Sequence, residues 1–299
     1  MKTFYAGIDI GTNTLLLLIL SKDSNGMIEI VRDEHRIARL GEGVHEKGFI
    51  SDGAMQRAHQ ILHEYADILK QYQSLQLRVV ATSAMRDALN RKDVIQLFEN
   101  ILENPIEIIS GEEEAYLTYL GSKEQYTDPL IIDIGGGSTE CIRETGNGCQ
   151  IISLNIGAVS LHETYVNNLP ISKYKLEEAK RYIKDAISSL QFNEFDTVIA
   201  TAGTPTTLAA MDLEISDISS EAIHGHFLHI ADIKNMTHSL LNSSFEEILL
   251  LPGVHPQRAD ILPAGALILQ ELLLYFNIEG CIVSKKGLRF GVAYSIMDC

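Results

Sequence analysis

Short apolar runs alternate with amphipathic stretches throughout the chain, and two of the runs end alike. Residues 4–10 read FYAGIDI, which predicts a buried strand. The polar turn Gly11-Thr12-Asn13-Thr14 follows, and residues 15–20 form a second apolar strand. The pattern returns at residues 130–142, where LIIDI leads into Gly135-Gly136-Gly137-Ser138 and a further strand. Aligning Asp9 with Asp133 also aligns Gly11 with Gly135 and Thr14 with Ser138, so the halves read as an internal duplication.

In the first half, Ser24-Asn25-Gly26 signals a hairpin, with a returning strand over 27–32. Residues 36–48 hold three glycines and mixed charges and read as a loop. Ser51 is placed to cap a helix to about residue 73, with Met55, Ala58, Ile61, Leu62, Tyr65 and Leu69 on one face. Strands are expected at 77–81 and 105–109, and helices at 93–102 and 110–121. In the second half the pattern predicts strands at 130–135, 139–144, 150–155, 197–200 and 280–284. A turn is expected at 146–148. Helices are expected at 157 onward, 172–190, after Pro205, and at 231–242, 244–250, 256–276 and from 287. Residues 215–229 read as irregular. Strands interleaved with helices imply an α/β fold with mixed sheets flanked by helices, in two domains over 1–124 and 125–299. The last helix can pack back on the first domain.

The chain has 299 residues, ample for two cores. Its formal net charge is −16, from 24 basic and 40 acidic side chains, which argues against DNA and anionic-membrane partners. No apolar run reaches membrane-spanning length, and no basic leader precedes an apolar segment, so a cytoplasmic location is expected. Cys141, Cys149, Cys281 and Cys299 form no C-x-x-C pair and read as reduced thiols.

A glycine run after a strand lets backbone N–H groups converge on an anion, because no Cβ blocks the approach. Two such turns, each with an aspartate, point to a cleft that grips a phosphorylated ligand from both domains. Asn13, Thr14, Gly136, Gly137 and Ser138 are the candidate phosphate-binding residues. Arg86 is a candidate clamp, since guanidinium matches phosphate bidentately. Asp133 at a strand end can hold a metal or its water. Lys285, Lys286 and Arg289 beside Gly287 form a basic cluster placed to help hold a polyanion. The pairs His59/His63 and His224/His226 lack the acids of a zinc-protease arrangement and take no metal role.

Asp9-Ile10-Gly11-Thr12-Asn13-Thr14 and Asp133–Glu140 resemble the two phosphate motifs of the exopolyphosphatase/guanosine pentaphosphate phosphatase family, within the actin-like ATPase superfamily. Ala81-Thr82-Ser83-Ala84-Met85-Arg86, Ser110-Gly111-Glu112-Glu113-Glu114-Ala115, Ala202-Gly203-Thr204, His224-Gly225-His226, Arg258-Ala259-Asp260 and Gly287-Leu288-Arg289 agree in the family's order. The resemblance implies two ribonuclease-H-like domains with the active site in the interdomain cleft. It also implies Mg²⁺-dependent release of a terminal phosphate from polyphosphate or guanosine pentaphosphate. The carboxylate after Ser-Gly-x serves the family as base, and that position here is Glu113, with Glu114 beside it. Asp133 and Glu140 are the implied magnesium carboxylates, with Asp9 as a third candidate. Two-domain proteins of this kind often form homodimers.

Some positions depart from the family pattern. Thr12 and Thr14 stand where serines are usual, and Leu15-Leu16 stand where a basic residue or His is common. Larger relatives carry a C-terminal helical domain that helps grip long polyphosphate and that this sequence does not include, so processive action on very long chains is not implied by the resemblance. An actin-like kinase or ATPase shares the paired turns, but Ser-Gly-Glu-Glu-Glu-Ala favours the hydrolase.

Overall fold

The hairpins that open the two halves become the centres of two sheets. In a computed structural model, all residues are described except 1, 125, 146, 147, 193, 194, 196, 219, 298 and 299. The expected thiol at Cys299, and the 146–148 turn apart from Gly148, therefore lie outside the described residues. The chain divides into two units, Met1–Gly121 with Gly287–Cys299, and Ser122–Lys286.

The first unit contains β1 (Thr3–Ile10), β2 (Thr14–Lys22), β3 (Ile28–Ile37), β4 (Leu75–Ala81) and β5 (Ile106–Ile108), in the order β3-β2-β1-β4-β5. Strands β1, β2 and β3 run antiparallel in turn, whereas β4 lies parallel to β1 and β5 parallel to β4. Helices α1 (Val44–Lys47), α2 (Asp52–Leu69), α3 (Ser83–Asp87), α4 (Arg91–Leu102) and α5 (Gly111–Ser122) follow in the chain. Ala6, Ile8, Ile10, Leu15, Leu17 and Ile19 pack against α2 and α4. Tyr5, Leu18 and Leu20 pack on the other face. Burial on both faces explains why β1 and β2 read as continuous apolar runs rather than alternating ones. Each such fully buried side chain contributes roughly 2 kcal/mol. Ser51 caps α2 as expected, its Oγ accepting from the Ala54 N–H at 3.2 Å.

The second unit contains β6 (Leu130–Ile134), β7 (Thr139–Thr145), β8 (Gly148–Leu154), β9 (Val198–Thr201), β10 (Phe227–His229) and β11 (Gly280–Val283). Their order is β10-β11-β9-β6-β7-β8, which repeats the first unit's order with β10 added at one edge. This is the ribonuclease-H-like arrangement, twice. Its helices are α6 (Ala158–Leu161), α7 (Lys173–Ile187), α8 (Gly203–Asp212), α9 (Ile230–Asn242), α10 (Phe245–Ile248) and α11 (Leu262–Tyr275). Helix α11 is buried nearly all round and sits at the centre of the core. The chain then re-enters the first unit as α12 (Leu288–Ser295).

Three expectations need correction. Strand β3 runs to Ile37 and takes in the start of the expected 36–48 loop, because the ladder to β2 continues through the polar Asp33-Glu34-His35-Arg36 stretch. The 215–229 stretch contains β10, whose three residues bury one side chain, Leu228, and are too few to show a period. Helix α11 begins at Leu262 rather than near 256, with Pro263 in its first turn, where a missing N–H costs nothing.

Candidate active site

The two glycine turns are built alike. In the first unit, the Gly11 N–H donates to Thr14 O at 3.0 Å. In the second, the Gly135 N–H donates to Ser138 O at the same distance. Each turn joins an antiparallel pair, closed by Ile10 opposite Leu15 and by Ile134 opposite Thr139. The first turn is braced from two sides. Asn13 O accepts from the Ala38 and Arg39 N–H groups, and the Gly41 N–H donates to Thr12 O. The Ala84 N–H donates to Thr12 Oγ1. The second turn is held by the start of α6. Gly135 O and Gly136 O accept from the Ala158, Val159 and Ser160 N–H groups, and Gly137 O accepts from Ser160 Oγ. With those carbonyls engaged, the N–H groups of Gly136 and Gly137, like those of Thr12 and Asn13, have no partner among the described residues. Asn13 Nδ2 is likewise buried without a partner. Such grouped N–H donors suit an anion.

Asp133 and Glu140 lie directly opposite each other on β6 and β7. They share the face opposite the core formed by Leu130, Ile132, Ile134 and Cys141. Both are buried, and Ser153 Oγ donates to Glu140 Oε1 at 2.8 Å. A buried pair of hard oxygen donors fits Mg²⁺, which takes one or two protein carboxylates and keeps waters. Asp9 occupies the matching place in the first unit, but Leu16 stands opposite it where Glu140 stands opposite Asp133. Among the described residues no group of three or more metal-ligating His, Cys, Asp or Glu side chains is assembled.

Ser110 precedes helix α5, and its Oγ accepts from the Glu113 N–H at 3.1 Å. The three consecutive glutamates then diverge. Glu112 faces solvent. Glu113 turns to Arg78 on β4, with Nη2 to Oε1 at 2.7 Å, and its side chain is 43% exposed. Glu114 is buried and accepts from Arg86 Nη1 at 2.7 Å, and the same nitrogen donates to Ile109 O at 3.0 Å. Burial pushes the Glu114 carboxyl above its ordinary value, against the opposing pull of Arg86. The sequence motif placed the base at Glu113. The geometry brings Glu114, not Glu113, onto Arg86.

The basic cluster comes apart. Lys285 Nζ donates to Ser220 O and Glu221, and Lys286 Nζ donates to Glu124. Arg289 is 5% exposed and grips Asp33 of β3 bidentately, Nε to Oδ1 at 2.7 Å and Nη2 to Oδ2 at 2.8 Å. The role in holding a polyanion is corrected for Arg289, because its guanidinium is buried in a structural pair.

A family model described as the Ppx/GppA phosphatase family matches residues 18–299. The chain belongs to that family. Exopolyphosphatase 2 of Mycobacterium tuberculosis is 30% identical over 98% of both chains. The Ppx/GppA family member of Aquifex aeolicus is 29% identical, with a TM-score of 0.83 over 99% of this chain and 97% of that one. An exopolyphosphatase from Cytophaga hutchinsonii is 26% identical, with a TM-score of 0.89 over 99% and 98%. As a Ppx/GppA member, the protein is a hydrolase of phosphoanhydride bonds. No helix among the described residues is long and apolar enough to cross a membrane.

Proposed function

We propose that the protein is an exopolyphosphatase in which Glu114 is the general base. The observation that carries this reading is the buried Glu114–Arg86 pair at the start of α5. A base must take a proton from water, and burial that raises a carboxyl's pKa makes it the stronger base. Arg86 spends Nη1 on Glu114 and Ile109, which leaves Nε and Nη2 for phosphoryl oxygens. It therefore orients the base and offsets charge on the reacting phosphate. The N–H groups of Thr12, Asn13, Gly136 and Gly137, with Asn13 Nδ2, Thr14 and Ser138, bind phosphate oxygens. Asp133 and Glu140 would hold Mg²⁺, which when bound offsets phosphate charge. Exopolyphosphatase action is also what the names of the relatives suggest.

The test is phosphate release by purified protein with Mg²⁺, from polyphosphates of several lengths, pppGpp and ATP. Glu114→Gln should lower kcat on the preferred substrate by about 10³-fold, while Glu113→Gln stays within about tenfold of wild type. Undiminished release by Glu114→Gln would remove it as base. Preference for pppGpp over every polyphosphate would move the substrate assignment. Release that persists unchanged in EDTA would sink the Mg²⁺ requirement.

A further inference from the structure

Arg78 lies on β4 opposite Gly7 of β1, and no sequence motif includes it. Its guanidinium nevertheless joins three elements. Nε and Nη2 donate to Glu107 of β5, with Nη2 to Oε2 at 2.8 Å. Nη2 also donates to Glu113 of α5 at 2.7 Å, and Nη1 donates to Ser295 Oγ of α12 at 2.9 Å. The Arg78 side chain is only 17% exposed, and its bonds to Glu113 and Ser295 are partly shielded from water. By strand alternation Arg78 shares a face with Val80, which packs against Leu117 of α5 and Val292 of α12. Glu113 stands one helical turn before Leu117, so Arg78 extends this packing seam to the first turn of α5.

We propose that Arg78 is a positioning residue for the base: by gripping Glu113 it fixes the rotation of the first turn of α5, and so directs Glu114 onto Arg86. This rests on the reading of Glu114 as base. Adjacent helical residues point about 100° apart, so the direction of one sets the direction of the next. Ser110 caps the turn but does not fix which way its glutamates face. Leu117 and the close approach of α5 to α12 fix the helix further along, and Arg78 is the polar contact that orients its beginning. The guanidinium also neutralises the carboxylate next to the base. The charged groups about Glu114 are Arg86 from α3, Glu112 and Glu113 on its own helix, and beyond Glu113 Arg78 from β4 and Glu107 from β5. Without Arg78, the Glu113 charge stands uncompensated beside Glu114. Like charge disfavours ionisation, so the base would hold its proton to higher pH.

The experiment compares Arg78→Met, Arg78→Lys, Glu113→Gln, the double variant Arg78→Met/Glu113→Gln, and Glu114→Gln, by steady-state kinetics across pH and by thermal melting. Arg78→Met should lower kcat about tenfold with KM within twofold, since misdirection of a catalytic group costs rate rather than binding. The acid limb of its kcat/KM profile should move upward, and the double variant should return that limb to the wild-type position. Arg78→Lys keeps the charge but not the fork; it should retain the wild-type limb and an intermediate kcat. A merely structural role would change the melting temperature without moving the limb, and the limb would not respond to Glu113→Gln. That result overturns the proposal, as does a kcat within twofold of wild type for Arg78→Met, or a raised KM at constant kcat. If Arg78→Met does not fold, Arg78→Lys decides: a wild-type kcat overturns the proposal, and an intermediate kcat at constant KM supports it. A fully active Glu114→Gln would bring down the base assignment and this proposal together. An inactive Glu114→Gln beside a normal Arg78→Met would bring down this proposal alone.

Discussion

Glu113 and Glu114 are neighbours in the chain but face different partners, and the difference has a measurable consequence in pH. Burial raises the Glu114 carboxyl, and a base acts only when ionised. Activity should therefore fall as pH drops through a limb above the ordinary glutamate range, and Glu114→Asp, if active, should keep such a limb. A kcat/KM profile flat down to pH 4.5 would contradict this. Asp33 behaves in the opposite sense. Burial works against its ionisation, but hydrogen bonds from His35 and Arg289 and their charges outweigh that and hold the carboxyl well below the usual range. The pair thus adds stability above the ordinary aspartate value, lost as pH falls below it. Asp33→Asn should destabilise by about 2 kcal/mol near neutrality, since it weakens the charge-assisted hydrogen bonds to the buried Arg289, and the gap to wild type in urea melts should narrow below about pH 4. A gap of equal size at pH 7 and pH 3 would count against the pair. The two glycine turns were legible in sequence because each follows an apolar strand and the pattern occurs twice. The direction in which each of the three consecutive glutamates faces was not, because α5 buries Glu114, Ala115, Leu117, Thr118 and Tyr119 on several sides and shows no single face. The engagement of Arg289 was equally hidden, since its partner lies far away in the chain.

At the scale of elements, α5 and α12 pack together against β4 of the first sheet. They approach so closely that a Cβ on Gly291 would collide with Leu117 O, and one on Gly121 with Gly287 O. Alanine at position 291 would gain up to about 1 kcal/mol of helix propensity. The obstacle is backbone rather than a flexible side chain, so the helices must separate, and overpacking of this kind costs about 1–3 kcal/mol. The net effect of Gly291→Ala should be a lower melting temperature together with reduced kcat, because α5 carries Glu114, the proposed base. A raised melting temperature would show that the crossing has room for the added Cβ. Sequence patterning located both helices within one residue, but nothing in it foretold their contact, which joins segments from opposite ends of the chain. Patterning failed where an element is defined by a ladder instead of by burial, as in the polar half of β3 and in the three-residue β10.

At the scale of the molecule, the duplication has diverged in chemistry while keeping its geometry. Both units have the same strand order and the same hydrogen bond across the glycine turn. Only the second has two carboxylates facing each other across the hairpin, and only the first has the buried Glu114–Arg86 pair. The whole carries a net charge of −16, yet the proposed substrate is a polyanion. Two electrostatic effects of opposite sign then compete. Arg86 and the N–H groups, as the proposed phosphate contacts, would attract a phosphate at contact distance, where salt screens weakly. The acidic surface repels the rest of the chain over distances beyond the Debye length, which is about 10 Å at 0.1 M salt. Raising KCl from 20 to 200 mM at fixed free Mg²⁺ should thus weaken the long-range repulsion first and lower KM for long polyphosphate by about twofold or more. The effect should shrink as the substrate shortens, because a short chain presents less charge beyond the contact residues. A KM that rises with salt at every chain length would mean that local attraction dominates, with a basic lining supplied by residues other than Lys285, Lys286 and Arg289, whose side chains are already held by acidic or carbonyl partners.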